Sequence, residues 1–385
     1  MSDAHQSFET LAVHGGEPRP AANGSVVYPI YQGTVFESAP GETYDQIQYI
    51  RLNTNPSQEH LHGKLAALEG AEAAVATASG MAAITTALLS LLSAGDHLIA
   101  AGTFYGGTHH FLTEQAPRLG WTVTHVDPAN PQAWADALRP TTKAIMVESI
   151  TNPLTRVADL AGLAAFGREH GLTSVIDNTF ATPVVFRPHG VGFDLVCHSA
   201  TKALNGHSDL VAGVITGTAE RIGRIVPVLN LYGGSLDPHA GYLLARGLKT
   251  LALRVRQQGA NALALARYLD GHKDIAHVNY PGLASHPDHE RAAALFDGFG
   301  SVLSFRPAGG VEAADSLLKG LRLPYVAPSL GGVESLVTRP AVTSHAGMSP
   351  AERAAEGIDE DLVRFSAGIE SAADLVADFA RALGE

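Results

Sequence analysis

Lys202 ends the run His198-Ser199-Ala200-Thr201-Lys202, directly after an apolar stretch, and Asp177 stands twenty-five residues earlier in Val175-Ile176-Asp177-Asn178-Thr179. An unprotonated lysine amine condenses with a carbonyl to form a Schiff base. A carboxylate that faces a ring nitrogen keeps it protonated, so the ring can draw electrons from a neighbouring carbon. A phosphate dianion needs backbone N–H groups at a helix start, together with hydroxyl and guanidinium donors. The chain supplies a helix start at Ser79-Gly80-Met81, the hydroxyls of Ser199 and Thr201, and the ring of Tyr105 to cover a planar group. These are the parts of a pyridoxal-phosphate site. Arg51 and Arg364 are further candidates for anion contacts, and each residue also has a plainer reading: Lys202 on the surface, Asp177 as a helix cap, Tyr105 as a packing residue, Arg51 as a solvated cation, Arg364 paired with a structural carboxylate.

Such a constellation needs a scaffold that brings distant segments to one rim. From about His60 the chain supplies one. HLHGKLAALEG and the stretch from Met81 to Leu92 have helical spacing, and short apolar strands then alternate with helices. The strand candidates are 97–101, 122–126, 144–149, 173–178, 194–199 and 212–216. Alternation of this kind implies crossover connections and a largely parallel sheet covered on both faces, with ligands at the carboxyl ends of the strands. Glu148–Pro153, Asp177–Pro183 and His198–Asp209 would then converge, and the turn Ala78–Ala83 ends another strand. The breaker-rich stretch before residue 54 reads as an N-terminal arm that packs on another subunit, or as a loop on its own domain. Beyond about residue 250 a helix, a turn-rich segment, the strand SVLSFRP and a further helix suggest a smaller α+β unit. The expected domains are an arm (1–53), a large domain (54–250) and a C-terminal domain (251–385).

Composition excludes several classes. With 45% hydrophobic and 17% charged residues the chain has ample core material. A net charge of −12 without basic runs leaves no nucleic-acid footprint. No apolar run is long enough for a bilayer, and no secretory pattern is visible at the start, so a cytoplasmic enzyme is expected. The lone cysteine, Cys197, permits no disulfide within the chain and reads as a buried strand residue. His109 and His110 are adjacent and His286 and His289 sit in a loop-like segment, so no metal site is expected.

The ordered motifs LAVHGG, YPIYQGTVF, LAALEGAEAAVATASGMAAI, FYGGTHHF, ESITNP, VIDNTFATP, HSATKALNGHSDLVAG, SLGGVESLVTRPAVTSH and LVRFSAGIE run nearly end to end. The chain thereby resembles the cysteine/methionine-metabolism family of pyridoxal-phosphate enzymes. That resemblance implies fold type I, the aspartate-aminotransferase-like α/β fold, with a mainly parallel seven-stranded sheet and a smaller α+β C-terminal domain. It further implies that Lys202 carries the cofactor and moves protons and that Asp177 faces the ring nitrogen, with Thr179 beside it. Tyr105 would stack on the ring and assist with the substrate amine. Gly80, Met81, Ser199 and Thr201 would hold the phosphate. Tyr49 and Arg51 would reach a neighbouring subunit's phosphate, making a dimer the active unit of a homotetramer. Asn152, Ser329 and Arg364 would bind the substrate carboxylate and the ring oxygen, and Glu334 would stand where substrate preference varies.

The implied activity is γ-elimination or γ-replacement on a homoserine-derived amino acid, of the cystathionine γ-lyase or γ-synthase type. SLGGVESL resembles the cystathionine-processing members, and Gly107 stands where methionine γ-lyases typically carry Cys. Alternatives are a methionine- or canavanine-type γ-lyase, an O-acetylhomoserine sulfhydrylase, a cystathionine β-lyase and, in another class, a non-catalytic binding protein of the same fold. Three departures mark a divergent branch. One residue is added between Arg51 and Asn55-Pro56. Ile150 replaces a usual Pro. Ala203 and Asn205 stand where Tyr and a small residue are commoner.

Overall fold

The computed structural model describes residues 6–44 and 46–385. Residues 1–5 and Asp45, which belong to the expected arm, lie outside them.

The first long helix, Pro56–Glu69, shows how local chemistry sets the boundaries. Asn55 caps it by accepting from Ser57 N, Gln58 completes a capping box, Pro56 occupies the first turn, and Gly70 stops it in the left-handed region at φ 69°. The larger sheet follows. Its strands are β1 (Ala73–Thr77), β2 (His97–Ala101), β3 (Thr122–Val126), β4 (Thr142–Glu148), β5 (Thr173–Asp177), β6 (Leu195–Ser199) and β7 (Gly213–Gly217). They are ordered β1-β7-β6-β5-β4-β2-β3. Every pairing is parallel except those of β7, which runs against both β6 and β1. Because β7 opposes both neighbours, β1 points the same way as β6. The carboxyl ends of β1, β4, β5 and β6 therefore meet on one rim, so the Ser79-Gly80 turn joins the three segments expected there.

Alternate strand residues bury against different layers. Val147, Ile176 and Val196 meet Leu61, Leu65 and Leu68 of the Pro56–Glu69 helix. Met146, Val175 and Leu195 meet Ala83, Ala87 and Leu88 of helix Gly80–Leu91. Covering both faces makes the strands near-continuously apolar.

The 20-residue helix Leu251–Asp270 leads to a second sheet. Its strands are β8 (Ile275–Asn279), β9 (Val302–Pro307), β10 (Tyr325–Val326), β11 (Leu336–Thr338) and β12 (Val363–Ser366), ordered β10-β11-β12-β9-β8. Leu265 and Leu269 pack with Phe305, Phe365 and Phe379 in its core. Before residue 54, helix Phe8–His14 buries Leu11 and Ala12 on the chain's own core, whereas Val26 (91%) and Val35 (77%) stand exposed. No helix among the described residues is long and apolar enough to cross a membrane.

Candidate active site

A cavity of about 610 Å³ opens on the rim, lined by Ser79, Gly80, Met81, Tyr105, Glu148, Asn152, Asp177, Thr179, Ser199, Thr201, Lys202, Ser329 and Arg364. Lys202 sits in a turn after β6, held by Lys202 N to Ser199 O (3.1 Å) and Gly206 N to Lys202 O (2.8 Å). Its Nζ donates to Ser329 Oγ at 2.7 Å. Burial, and then the Arg364 guanidinium, push the amine down from 10.5 to about 8.

Asp177 closes β5 opposite Glu148, which closes β4. Asp177 Oδ1 accepts from Thr179 N (2.9 Å) and Thr179 Oγ1 (2.5 Å), and Thr179 Oγ1 in turn accepts from Ser199 N (2.8 Å). Burial raises both acids. The Thr179 bonds and the field of His198 oppose the rise at Asp177, while the charge of Asp177 adds to it at Glu148.

Helix Gly80–Leu91 starts hard against β6. Ser79 caps it through Ala82 N, and a Cβ on Gly80 would lie 2.7 Å from Ser199 Cβ. The first amides of such a helix have no intrahelical acceptor. Tyr105 is 45% exposed. A Cβ on Gly107 would fall 2.7 Å from its ring, so the ring position depends on glycine there. Arg364, on β12, is buried and donates to Asn152 Oδ1 (3.0 Å) and Ser329 O (2.8 Å), both neutral. Burial lowers it to about 10, so it stays charged at neutral pH. His345 beneath it is pushed down to about 4 by burial and by Arg364, and is therefore neutral.

Three expected site residues lie elsewhere. Arg51 is exposed. It donates to Asn230 O at 3.1 Å and to the Tyr44 hydroxyl, and its guanidinium lies 5.6 Å from the Tyr49 ring centroid. The extra residue of this loop includes a left-handed turn at Asn53 (φ 62°), whose Nδ2 reaches Ser235 Oγ at 3.2 Å. Arg51 and Tyr49 are thus held outside their own chain's cavity. Glu334 also lies off its lining, accepting from Ser208 Oγ at 3.2 Å. Cys197 is buried in β6, and burial pushes its thiol up.

Two features escaped the sequence reading. Glu148 looked like the polar end of an apolar strand. The helix Leu251–Asp270 carries a buried polar row, Arg254, Gln258 and Asn261. Arg254 Nη1 donates to Ala203 O (2.7 Å), beneath the Lys202 turn, and Gln258 Nε2 to Gly332 O (2.6 Å), two residues past the cavity-lining Leu330. Asn261 Nδ2 donates to Gly368 O (2.9 Å), just beyond β12. The signal was three polar residues at i, i+4 and i+7 within an apolar stripe.

The donor set fits pyridoxal phosphate. It combines an amine of lowered pKa, an acid pair on the sheet with Glu148 buried and Asp177 half-buried, and a helix start beside two hydroxyls whose glycine leaves no room for a side chain. The comparisons agree. A family model described as Cys/Met metabolism PLP-dependent enzyme matches residues 9–384. Cystathionine gamma-lyase of Bacillus subtilis is 40% identical, over 97% of this chain and 98% of the relative. L-methionine gamma-lyase of Pseudomonas putida is also 40% identical, over 98% and 97%. The crystal structure of cystathionine gamma synthase from Xanthomonas oryzae superposes with a TM-score of 0.94 at 39% identity, covering 98% of both chains.

Proposed function

Because the chain belongs to the Cys/Met-metabolism pyridoxal-phosphate-dependent enzymes, a family of lyases and synthases, we propose that it performs γ-elimination or γ-replacement on a homoserine-derived amino acid, of the cystathionine type. Relatives of near-equal identity carry γ-lyase, γ-synthase and β-lyase names, so substrate and leaving group belong to the proposal. A cytoplasmic homo-oligomer, with Tyr49 and Arg51 serving a neighbour's site, is part of the same reading.

One observation carries it. The Arg364 guanidinium is buried at the cavity wall with only a carbonyl and an amide oxygen as partners. A buried cation in neutral company is costly unless an anion completes it. The α-carboxylate of an amino acid is an anion of matching planar, bidentate shape. Asn152 and Ser329 would complete that grip.

When bound, pyridoxal phosphate supplies an electron sink for charge left at the substrate α-carbon. Asp177, oriented by Thr179, would keep the ring nitrogen protonated. Gly80 and Met81 amides with Ser199 and Thr201 hydroxyls would hold the phosphate, and the Tyr105 ring would cover one face. Lys202 would hold the cofactor through its amine and be released once the substrate amine takes its place. The freed amine, about half unprotonated at pH 8, would then take the α-proton. Loss of a β-proton allows the γ-substituent to leave. Water then gives a 2-oxo acid and ammonia, or a thiol adds at the γ-carbon.

Incubating the protein with cystathionine, O-succinylhomoserine, methionine and canavanine, with product identification, tests the reading. Cleavage or replacement at the γ-carbon is expected. Exclusive β-cleavage, or no turnover of any of them, would overturn it.

A further inference from the structure

Glu148 and Asp177 are direct partners in the parallel ladder of β4 and β5 and line the same cavity. Glu148 is 5% exposed. Its Oε1 accepts from the backbone N–H of Tyr105 at 2.7 Å, tying the acid to the start of the Tyr105 segment. Paired in register, with Glu148 buried and Asp177 half-buried, the two carboxylates raise each other's cost of ionisation, which favours one charge and one proton between them.

The surroundings decide which acid keeps it. At Asp177 the Thr179 hydroxyl and amide, and the field of His198 on β6, favour the charged form. At Glu148 only the amides of Tyr105 and Asn152 do so. The two cations of the cavity are turned elsewhere. Lys202 bonds Ser329, and Arg364 bonds Asn152 and Ser329. Charge therefore settles on Asp177 and the proton on Glu148.

We propose that Glu148 is a positioning residue that sits in the site as a neutral carboxylic acid, leaving Asp177 the charged member of the pair and fixing the Tyr105 backbone so that its ring stays along the cavity. The proposal rests on the roles given above to Asp177 and Tyr105. It explains why an acid is compatible with a place beside Asp177. A neutral acid accepts the Tyr105 N–H as an amide would, and adds no second negative charge to compete with Asp177.

The test uses the holoenzyme. Infrared difference spectra of wild type against Glu148→Gln, near neutral pH, should show a protonated-carboxyl stretch that the variant lacks. That band should shift when glutamate is labelled with carbon-13. Cofactor affinity, by equilibrium dialysis, should fall about tenfold in Glu148→Ala and return to within about threefold of wild type in Glu148→Gln, because glutamine reproduces the neutral acid. A wild type without the band, or a glutamine variant that binds no better than the alanine one, would overturn the inference. Should Glu148→Ala fail to fold, the band alone decides. If the band is missing while Asp177→Asn remains impaired, the Glu148 inference fails and the reading of Asp177 stands.

Discussion

Cofactor capture by Lys202 should level off well below the pH at which ordinary lysines become reactive. With its amine at about 8 rather than 10.5, roughly one Lys202 in eleven is unprotonated at pH 7, about half at pH 8 and roughly nine in ten at pH 9. An unperturbed lysine offers roughly one in three thousand at pH 7. The rate at which apoprotein captures added pyridoxal phosphate, followed by stopped-flow absorbance, should rise about fivefold from pH 7 to 8, less than twofold from 8 to 9, and then hold. A small primary amine run in parallel corrects for titration of the cofactor itself. Replacing Arg364 by Leu removes the nearby cation, so the midpoint should move upward and capture at pH 7 should slow. Burial, the larger cause, remains, so the midpoint should stay below 10.5. The sign for stability follows: between pH 8 and 10.5 the unfolded chain binds more protons at Lys202, so this residue's contribution to apoprotein stability grows as pH rises through that window. A wild-type rate climbing tenfold per pH unit through pH 10 would show that neither burial nor Arg364 acts on the amine, and the argument would fall.

Asp177→Asn should weaken cofactor retention and cut kcat by roughly a hundredfold; wild-type kinetics would leave Asp177 as a residue that merely holds the Thr179 turn. Arg364→Ala should raise KM for the amino-acid substrate by about a hundredfold with the cofactor still bound, and an unchanged KM would place the α-carboxylate elsewhere. Mixing Arg51→Ala with Lys202→Ala subunits, after partial unfolding and reassembly, should recover about a quarter of wild-type activity, since half of randomly paired dimers are hybrids with one intact site. No recovery in confirmed hybrids would remove Arg51 from any neighbour's site.

The alternation of strands and helices was legible because a strand buried on both faces must be apolar throughout, and five of the six anticipated rim-sheet strands run parallel as expected. β1 was anticipated only as a strand ending at the Ala78–Ala83 turn, without a range of its own. AAVAT is alanine-rich with little strand propensity, and pairing with β7 overrides that weakness. Nor could the reversed direction of β7 be read from residues that look alike in either orientation. Of the residues gathered at the cavity, Lys202, Asp177, Ser199 and Asn152 belong to motifs that end a strand of the large sheet, whereas Ser329 and Arg364 come from the C-terminal unit. Glu148 ends one too, but its meaning comes from standing opposite Asp177, a relation of register between segments about thirty residues apart. Arg254, Gln258 and Asn261 act on loops up to 109 residues away, which local patterning cannot reveal.

That polar row constrains how the gene could be recombined with a relative's. A crossover placed just before residue 251 looks harmless, since it falls between a sheet and the next helix. Yet Arg254 fills the space above Gly206, where a Cβ would lie 1.8 Å from Nη1, and its guanidinium spans Ala203 O and Gly247 O on the other side of the junction. A chimera inheriting its first half from one parent and its second from another must therefore match a glycine and an arginine across the breakpoint. It must also present carbonyls at the same heights along the helix. Breakpoints that keep 203–206 and 247–270 on one parental fragment should give far more folded progeny than those that part them.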